Sequence, residues 1–423
     1  MTQRYDTYKD SGVQWLGEIP GHWGVFQFRK FFKIKKEIAG KEGIDVLAIT
    51  QQGIKIKDIT RNEGQIAANY SGYQIVNPSE FAMNHMDLLT GYIDISKFYG
   101  VTSPDYRVFA NVSEEANSKY YLYVFQLCYK LRIFFGLGQG VANKGRWRLP
   151  AKQLNTFNLP LPPLSEQRSI VSYLDDKCGK IDEWVTKKQK EVEHLQELKQ
   201  RVIADAVTRG LNPHVKMKAT NIPWLKKIPE HWERTTLRKF LRLFSVKNHG
   251  DKQLLSVTRE QGVIVRDIES KEGNHNFIPD DLSGYKYVQI GDFVINKMKS
   301  WQGSYGVSNY EGIVSPAYYT CKLEGIDRTF FSLAIRSKIY VSFFGRYSKG
   351  IRVDQWDLSP FALTSIPFAV PPLSEQKQIV SYLEDKTSKI DKLIANITKE
   401  IECIKEYKQR LISDVVTGQI KVC

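Results

Sequence analysis

The chain contains itself twice, and no other feature limits its possible folds so strongly. Residues 15–23 read Trp-Leu-Gly-Glu-Ile-Pro-Gly-His-Trp, and 224–232 read Trp-Leu-Lys-Lys-Ile-Pro-Glu-His-Trp, 209 positions later. Pro-Pro-Leu-Ser-Glu-Gln at 162–167 recurs unchanged at 371–376, and Ile-Val-Ser-Tyr-Leu at 170–174 recurs at 379–383. Lys199-Gln200-Arg201 returns as Lys408-Gln409-Arg410. Between these anchors the register drifts to 212, as at Ser71-Gly72-Tyr73 and Ser283-Gly284-Tyr285, and is back at 209 by Phe134 and Phe343. Matched ends around a divergent middle predict two copies of one frame carrying different inserts.

Within each copy two kinds of segment alternate. Short apolar runs broken by Gly, Pro, Asn and Asp read as strands, among them 45–50, 287–290, 292–296 and 318–322. Helices are expected at 117–133 and 328–343. These parts predict compact α+β domains over 1–163 and 211–372.

Residues 164–210 and 373–423 differ. Each follows paired prolines, which block backward extension of a helix. Ser165 and Ser374 suit an N-cap, with Glu166 and Glu375 near the positive end of the helix dipole. Apolar residues then fall three and four apart. In the first segment they are Ile170, Leu174, Ile181, Val185, Val192, Leu195, Val202 and Ala206; in the second, Ile379, Leu383, Ile390, Leu393, Ile397, Ile401, Ile404, Leu411 and Val415. Such narrow stripes predict a coiled-coil seam between two long helices, antiparallel if a pseudo-two-fold axis relates the copies. Gly179 marks a possible kink. The expected class is therefore α+β: two tandem-duplicated domains separated by two long antiparallel helices. Each helix would measure roughly 65–70 Å.

A formal charge of +15 suggests a polyanionic partner. No apolar run is long enough to span a membrane, and the polar start lacks the core of a signal peptide. Five cysteines without C-x-x-C spacing argue against a disulfide framework or a Cys-rich zinc site, so a cytoplasmic setting is expected.

Enzymatic motifs are missing or broken. There is no N-P-P-Y or D-P-P-Y. Gly140-x4-Gly145 is followed by Arg146 instead of Lys-Ser/Thr, so it is no P-loop. Gly136, Gly138 and Gly140 form G-x-G-x-G, but the second copy has only Gly345 and Gly350 there, so a dinucleotide site is not expected. Pro279-Asp280-Asp281 lies downstream of Glu269-Ser-Lys271, the wrong order for a metal-dependent nuclease, and neither recurs. No catalytic residue and no metal ligand is expected.

The sequence resembles the DNA specificity subunit of type I restriction–modification systems. The resemblance rests on Trp-Leu-Gly-Glu-Ile-Pro-x-His-Trp near the start of a copy, Pro-Pro-Leu-Ser-Glu-Gln entering a long helix, and Val415-Val416-Thr417-Gly418 near its end. It covers essentially the whole chain. One departure is that the first helix ends in Arg209-Gly210, shifting the expected stop by one residue. The resemblance implies two target-recognition domains reading the halves of a bipartite double-stranded DNA target. It implies docking of two methyltransferase (modification) subunits on the helices, with restriction/translocase subunits beyond them. It implies no cofactor on this chain, with S-adenosylmethionine, ATP and Mg on the partners. A self-contained DNA-modifying or cleaving enzyme and a coiled-coil assembly scaffold are the alternatives.

DNA contact requires cations for phosphate and donors or acceptors for base edges. One candidate loop carries Gln51, Gln52, Lys55 and Lys57, matched by Arg259, Gln261 and Arg266. Gln suits adenine and Arg suits guanine, so this exchange fits two different half-sites. A second carries Asn84, matched by Lys297, Lys299 and Gln302. A third carries Lys144, Arg146 and Arg148, matched by Arg346, Lys349 and Arg352. Trp147 and Trp356 recur and are expected to pack in the core. His22 and His231 belong to the shared frame and are expected to pack or hydrogen-bond there, without a catalytic role.

Overall fold

The computed structural model describes residues 3–59, 69–140, 147–222, 225–267, 278–350 and 356–422. The chain forms two compact units. The first comprises residues 1–188 with 399–423, and the second comprises 189–398. Each long helix is thus divided between the units.

The first unit is built on a four-stranded antiparallel sheet in the order Phe32–Lys35, Arg107–Asn111, Phe81–Met83, Ile93–Ile95. The second repeats that order with Leu241–Phe244, Tyr319–Leu323, Phe293–Ile295 and Tyr305–Val307. Satellite pairs are repeated too. The hairpin Leu47–Thr50/Gly53–Ile56 corresponds to Leu255–Thr258/Gly262–Val265. Gly24–Gln27 with Asn158–Leu161 corresponds to Glu233–Thr236 with Pro367–Val370. The central strands Phe81–Met83 and Phe293–Ile295 are buried throughout, which explains their unbroken apolar sequence.

Aromatic side chains fill both interiors. Phe81 stacks on Phe109 at 4.8 Å, and Phe28, Phe32 and Phe125 surround them. In the second unit Tyr305 stacks on Phe344 at 4.0 Å beside Phe293 and Phe331. The helices also follow the sequence pattern. Asn117 caps Ser118–Lys130 by accepting from the amides of Lys119 and Tyr120. The expected helix at 328–343 is two helices, Arg328–Ile335 and Lys338–Tyr347, because the chain turns at Arg336 and Ser337.

The long helices span Leu164–Arg209 and Leu373–Val416. The first runs unbroken through Gly179. In the first unit, Ile170, Leu174 and Cys178 from the early part of one helix share a core with Leu411, Ile412, Val415 and Val416 from the late part of the other. In the second unit, Ile203, Ala206 and Val207 share a core with Ile379 and Leu383. The helices are therefore antiparallel. A fully buried Leu or Ile contributes about 1.5–3 kcal/mol, so these stripes dominate the docking of each lobe on its helices. Leu393, expected on the stripe, is instead 51% exposed; the seam passes from Ile390 to Ile397, one heptad apart. Matching ion pairs flank the seam, Lys408 to Asp182 at 2.6 Å and Lys199 to Asp391 at 2.6 Å.

The two repeated motifs meet in space. His22 Nε2 lies 2.5 Å from Glu166 Oε1, while Trp23 Nε1 and Tyr5 OH donate to Glu166 Oε2 at 2.9 and 3.0 Å. His231 and Trp232 bind Glu375 at 2.7 and 3.1 Å. The neighbouring Gln167 and Gln376 accept from the amides of Asn117 and Asp327 and donate to Pro162 O and Pro371 O. Ser165 and Ser374 are not the N-caps. Gln167 N donates to Pro163 O and Gln376 N to Pro372 O, both at 3.0 Å, so each helix opens on its second proline and the serine stands inside the first turn. Proline is tolerated there because its carbonyl can still accept. Each helix ends on a left-handed glycine, Gly210 (φ +74°) and Gly418 (φ +78°). A Cβ on Gly418 would fall 2.4 Å from Pro20, so this stop also permits the close approach of the His-Trp motif.

Candidate nucleic-acid interface

Three loops far apart in sequence come together in each unit. In the first, the hairpin turn is Gln51-Gln52, closed by Gly53 at φ +101°. Thr50 Oγ1 donates to Gly53 O at 2.9 Å and accepts from the Gln52 amide. A Cβ on Gly53 would fall 2.7 Å from the Asp94 carboxylate, which accepts from the Ile54 amide at 3.1 Å. Gln51 and Gln52 are exposed; Gln51 reaches Thr90 O at 3.3 Å, and Lys55 donates to Gln52 Oε1 at 2.5 Å. Lys57 is half-buried. The first candidate loop therefore touches residues 84–91, which hold the second.

Asn84 serves its own turn: its side chain accepts from the Met86 amide at 3.2 Å, and its carbonyl accepts from Tyr129 OH. The third loop joins the second through Leu149, whose amide donates to His85 O at 2.9 Å. Arg148 is exposed at the foot of that loop, and its backbone pairs with Gln139. Lys144 and Arg146 lie outside the described residues. Trp147 packs on the core with its indole N–H bonded to Phe135 O, as expected of a frame residue.

The second unit repeats the convergence with other side chains. Its hairpin turn is one residue longer, Arg259-Glu260-Gln261, and Gly262 (φ +76°) closes it. Arg336 clamps this turn. Its Nη1 donates to Tyr305 O at 2.7 Å, and its Nη2 donates to Glu260 O at 2.6 Å and Arg259 O at 3.1 Å. Burial lowers its pKa from the ordinary arginine value. Arg259 and Gln261 are exposed, and Arg266 is half-buried.

Lys297 makes an ion pair with Asp357 at 3.3 Å, and the Leu358 amide donates to Lys297 O, as Leu149 does to His85. Lys349 pairs with Asp357 through the backbone. Trp301 lies against Trp356 at 5.0 Å, so Trp356 meets the second loop and is not enclosed in the main core. Lys299, Arg346 and Lys349 are exposed, and Gln302 is half-buried. Arg352 lies outside the described residues. The structure thus gathers Lys297, Lys299, Gln302, Arg346 and Lys349 around one loop junction, with the turn bearing Arg259 and Gln261 tied to the adjacent strand.

Asp94 and Arg336, which position the hairpins, were missed in sequence. Arg336 carries one signal, a cation closing an apolar helix. Asp94 carries none. His22 and His231 have the hydrogen-bonding frame role expected of them.

Among the described residues, no group of three or more His, Cys, Asp or Glu could hold a metal ion, and no helix is long and apolar enough to cross a membrane.

A duplicated lobe with converging polar loops, on two long antiparallel helices, defines the architectural class. Residues 22–194 match the type I restriction modification DNA specificity domain. The type I restriction enzyme MjaX specificity subunit of Methanocaldococcus jannaschii is 24% identical over 435 residues, with 96% of each chain covered. The MjaVIII specificity subunit of the same organism is 26% identical over 289 residues, with 64% of each covered. A chain from a study described as "Structural basis underlying complex assembly and conformational transition of the type I R-M system" shares the fold. Its TM-score is 0.65 at 13% identity, covering 94% of this chain and 98% of that one. The first of the chain's two copies is thus similar to that specificity domain, and the chain along nearly its whole length is similar to a type I restriction enzyme specificity subunit.

Proposed function

We propose that the chain is the non-catalytic sequence-reading subunit of a cytoplasmic type I restriction–modification complex. Each unit reads one half of a bipartite double-stranded DNA target. The helix pair sets the gap and offers its exposed polar faces to two methyltransferase subunits, with the restriction/translocase subunits joining that assembly. S-adenosylmethionine, ATP and Mg belong to the partners. The loop residues named above contact DNA, the exposed cations serving phosphate and the turn residues Gln51, Gln52, Arg259 and Gln261 serving base edges.

One observation carries this reading. The same three loops converge in both units on a common frame, yet the side chains they present differ, Gln-Gln in one turn and Arg-Glu-Gln in the other. Shared frame and divergent loops are what two readers of different sequences require. Four cysteines without disulfides, Cys128, Cys178, Cys321 and Cys403, support a reducing compartment.

Methylated-adenine mapping in a host carrying the chain and its partners tests the proposal. A split motif with a fixed gap is expected. Removing one heptad from each helix shortens the pair by about 10 Å, roughly three base pairs of duplex, and should alter the gap while leaving the half-sequences intact. A contiguous motif, or methyl transfer by the chain alone, would overturn it.

A further inference from the structure

At one junction the first unit buries a cation, Arg107, that makes no ion pair among the described residues, whereas the second unit has an ion pair there. Arg107 opens a central strand and is 8% exposed. Its one hydrogen bond among the described residues runs from Nη1 to Leu149 O at 2.9 Å. Leu149 in turn ties its amide to His85 O, and Arg148 stands beside it in the chain. His85 Nδ1 is buried and has no hydrogen-bond partner among the described residues. Asp87, the carboxylate of this loop, is held by its own turn through Thr90 and the Leu89 amide. The sequence 141–146 carries no acid. A buried charge lacking a counter-ion costs several kcal/mol, and an orphaned polar atom adds to that.

The second unit provides an internal comparison. At the position of Arg107 stands Tyr319, paired with Ile295 as Arg107 is with Met83. At the position of His85 stands Lys297, and at that of Arg148 stands Asp357. These two neutralise each other at 3.3 Å. The same junction is therefore internally balanced in one copy and positive in the other.

We infer that Arg107 and Arg148, on either side of the Leu149 tie to His85, form an anion seat in the first unit that takes one backbone phosphate of duplex DNA. Arg148 supplies the exposed charge that meets the phosphate, and Arg107, buried near the same His85 imidazole, adds to the local positive potential. The environment keeps that imidazole neutral: burial, then Arg107 and Arg148, lower its pKa to about 4. The inference rests on the DNA-reading function proposed above.

The test is duplex binding by the full chain across a salt series. Arg148→Gln, an exposed change, should weaken binding about tenfold and reduce the slope of log K against log salt by about one. Asp357→Asn, which frees Lys297, should increase that slope by a similar amount. A duplex with a neutral methylphosphonate at one backbone position should bind the parent chain more weakly while leaving Arg148→Gln unaffected. A wild-type slope in Arg148→Gln overturns the seat alone. Absence of salt-dependent duplex binding by the parent chain overturns the DNA-reading function with it.

Discussion

Replacing Arg336 by Gln isolates how the second unit holds its hairpin. Three carbonyls accept from its guanidinium, Tyr305 O, Glu260 O and Arg259 O. The first unit shows what a glutamine achieves at that place. Gln126 donates to Ile93 O at 3.2 Å, the counterpart of the Tyr305 bond, and its side chain donates to no turn carbonyl among the described residues. The substitution therefore keeps at best one bond and loses two to the turn. A hydrogen bond from a charged group is worth ~1.5–3 kcal/mol, but both turn carbonyls are exposed and water replaces the lost donor in part. About 1 kcal/mol each is a fair value, or about 2 kcal/mol together. That corresponds to a fall of about 4–8 °C in the melting of a unit this size. If the turn reads bases as proposed, the lost preorganisation weakens binding at that half-site by up to about thirtyfold. Competition binding with duplexes altered in one half-site at a time reads the effect. Discrimination at the second half-site should drop and that at the first should persist. Equal losses at both, or unchanged discrimination with a lowered melting temperature, would show that the clamp serves folding alone.

Glu166→Ala should destabilise the first unit by about 2–4 kcal/mol, since Trp23 and Tyr5 each lose a charged acceptor in a largely buried site; urea titration reads it. Glu166→Gln, which keeps an acceptor, should recover much of that loss. Lys408→Asp and Asp182→Lys should each cost about 0.5–1 kcal/mol, and the double exchange should restore stability, because the lysine is mostly covered and the aspartate mostly exposed; a double-mutant cycle in thermal melts decides. Acid should weaken the first unit through His85. Its folded pKa of about 4 lies below the unfolded value of 6.5, so the unfolded chain takes the proton first. Its contribution is complete above the unfolded value and drains away as pH falls towards 4. His85→Asn should flatten that part of the stability–pH curve, and an unchanged curve would exclude His85 as the titrating group.

The duplication, the antiparallel helix pair and the aromatic-rich strands were legible because period and apolar spacing are direct consequences of burial. Ile170, Leu174, Ile379 and Leu383 were placed correctly by spacing alone. Leu393 was not, since spacing of three or four admits neighbours just off the seam. The serine caps failed for a different reason. Sequence shows which residue is able to cap, but the turn opened on proline carbonyls, whose acceptor role is invisible in side-chain identity. Candidate loops were found because Gly and cations cluster locally. Their convergence was not, because Asp94, Arg336 and Leu149 act through backbone groups distant in the chain. Arg107 was hidden for the same reason, being a strand residue whose counterpart is a tyrosine.

The Glu166 and Glu375 junctions carry a consequence for how new target preferences arise. The His–Glu and Trp–Glu bonds there are made by side chains both copies retain, whereas the loops that differ are anchored mainly through backbone carbonyls and amides. Backbone anchors are indifferent to side-chain identity. Recognition can therefore drift, recombine or be exchanged between copies at little cost to folding. An engineer could treat each turn as a replaceable cartridge, limited chiefly by its closing glycine.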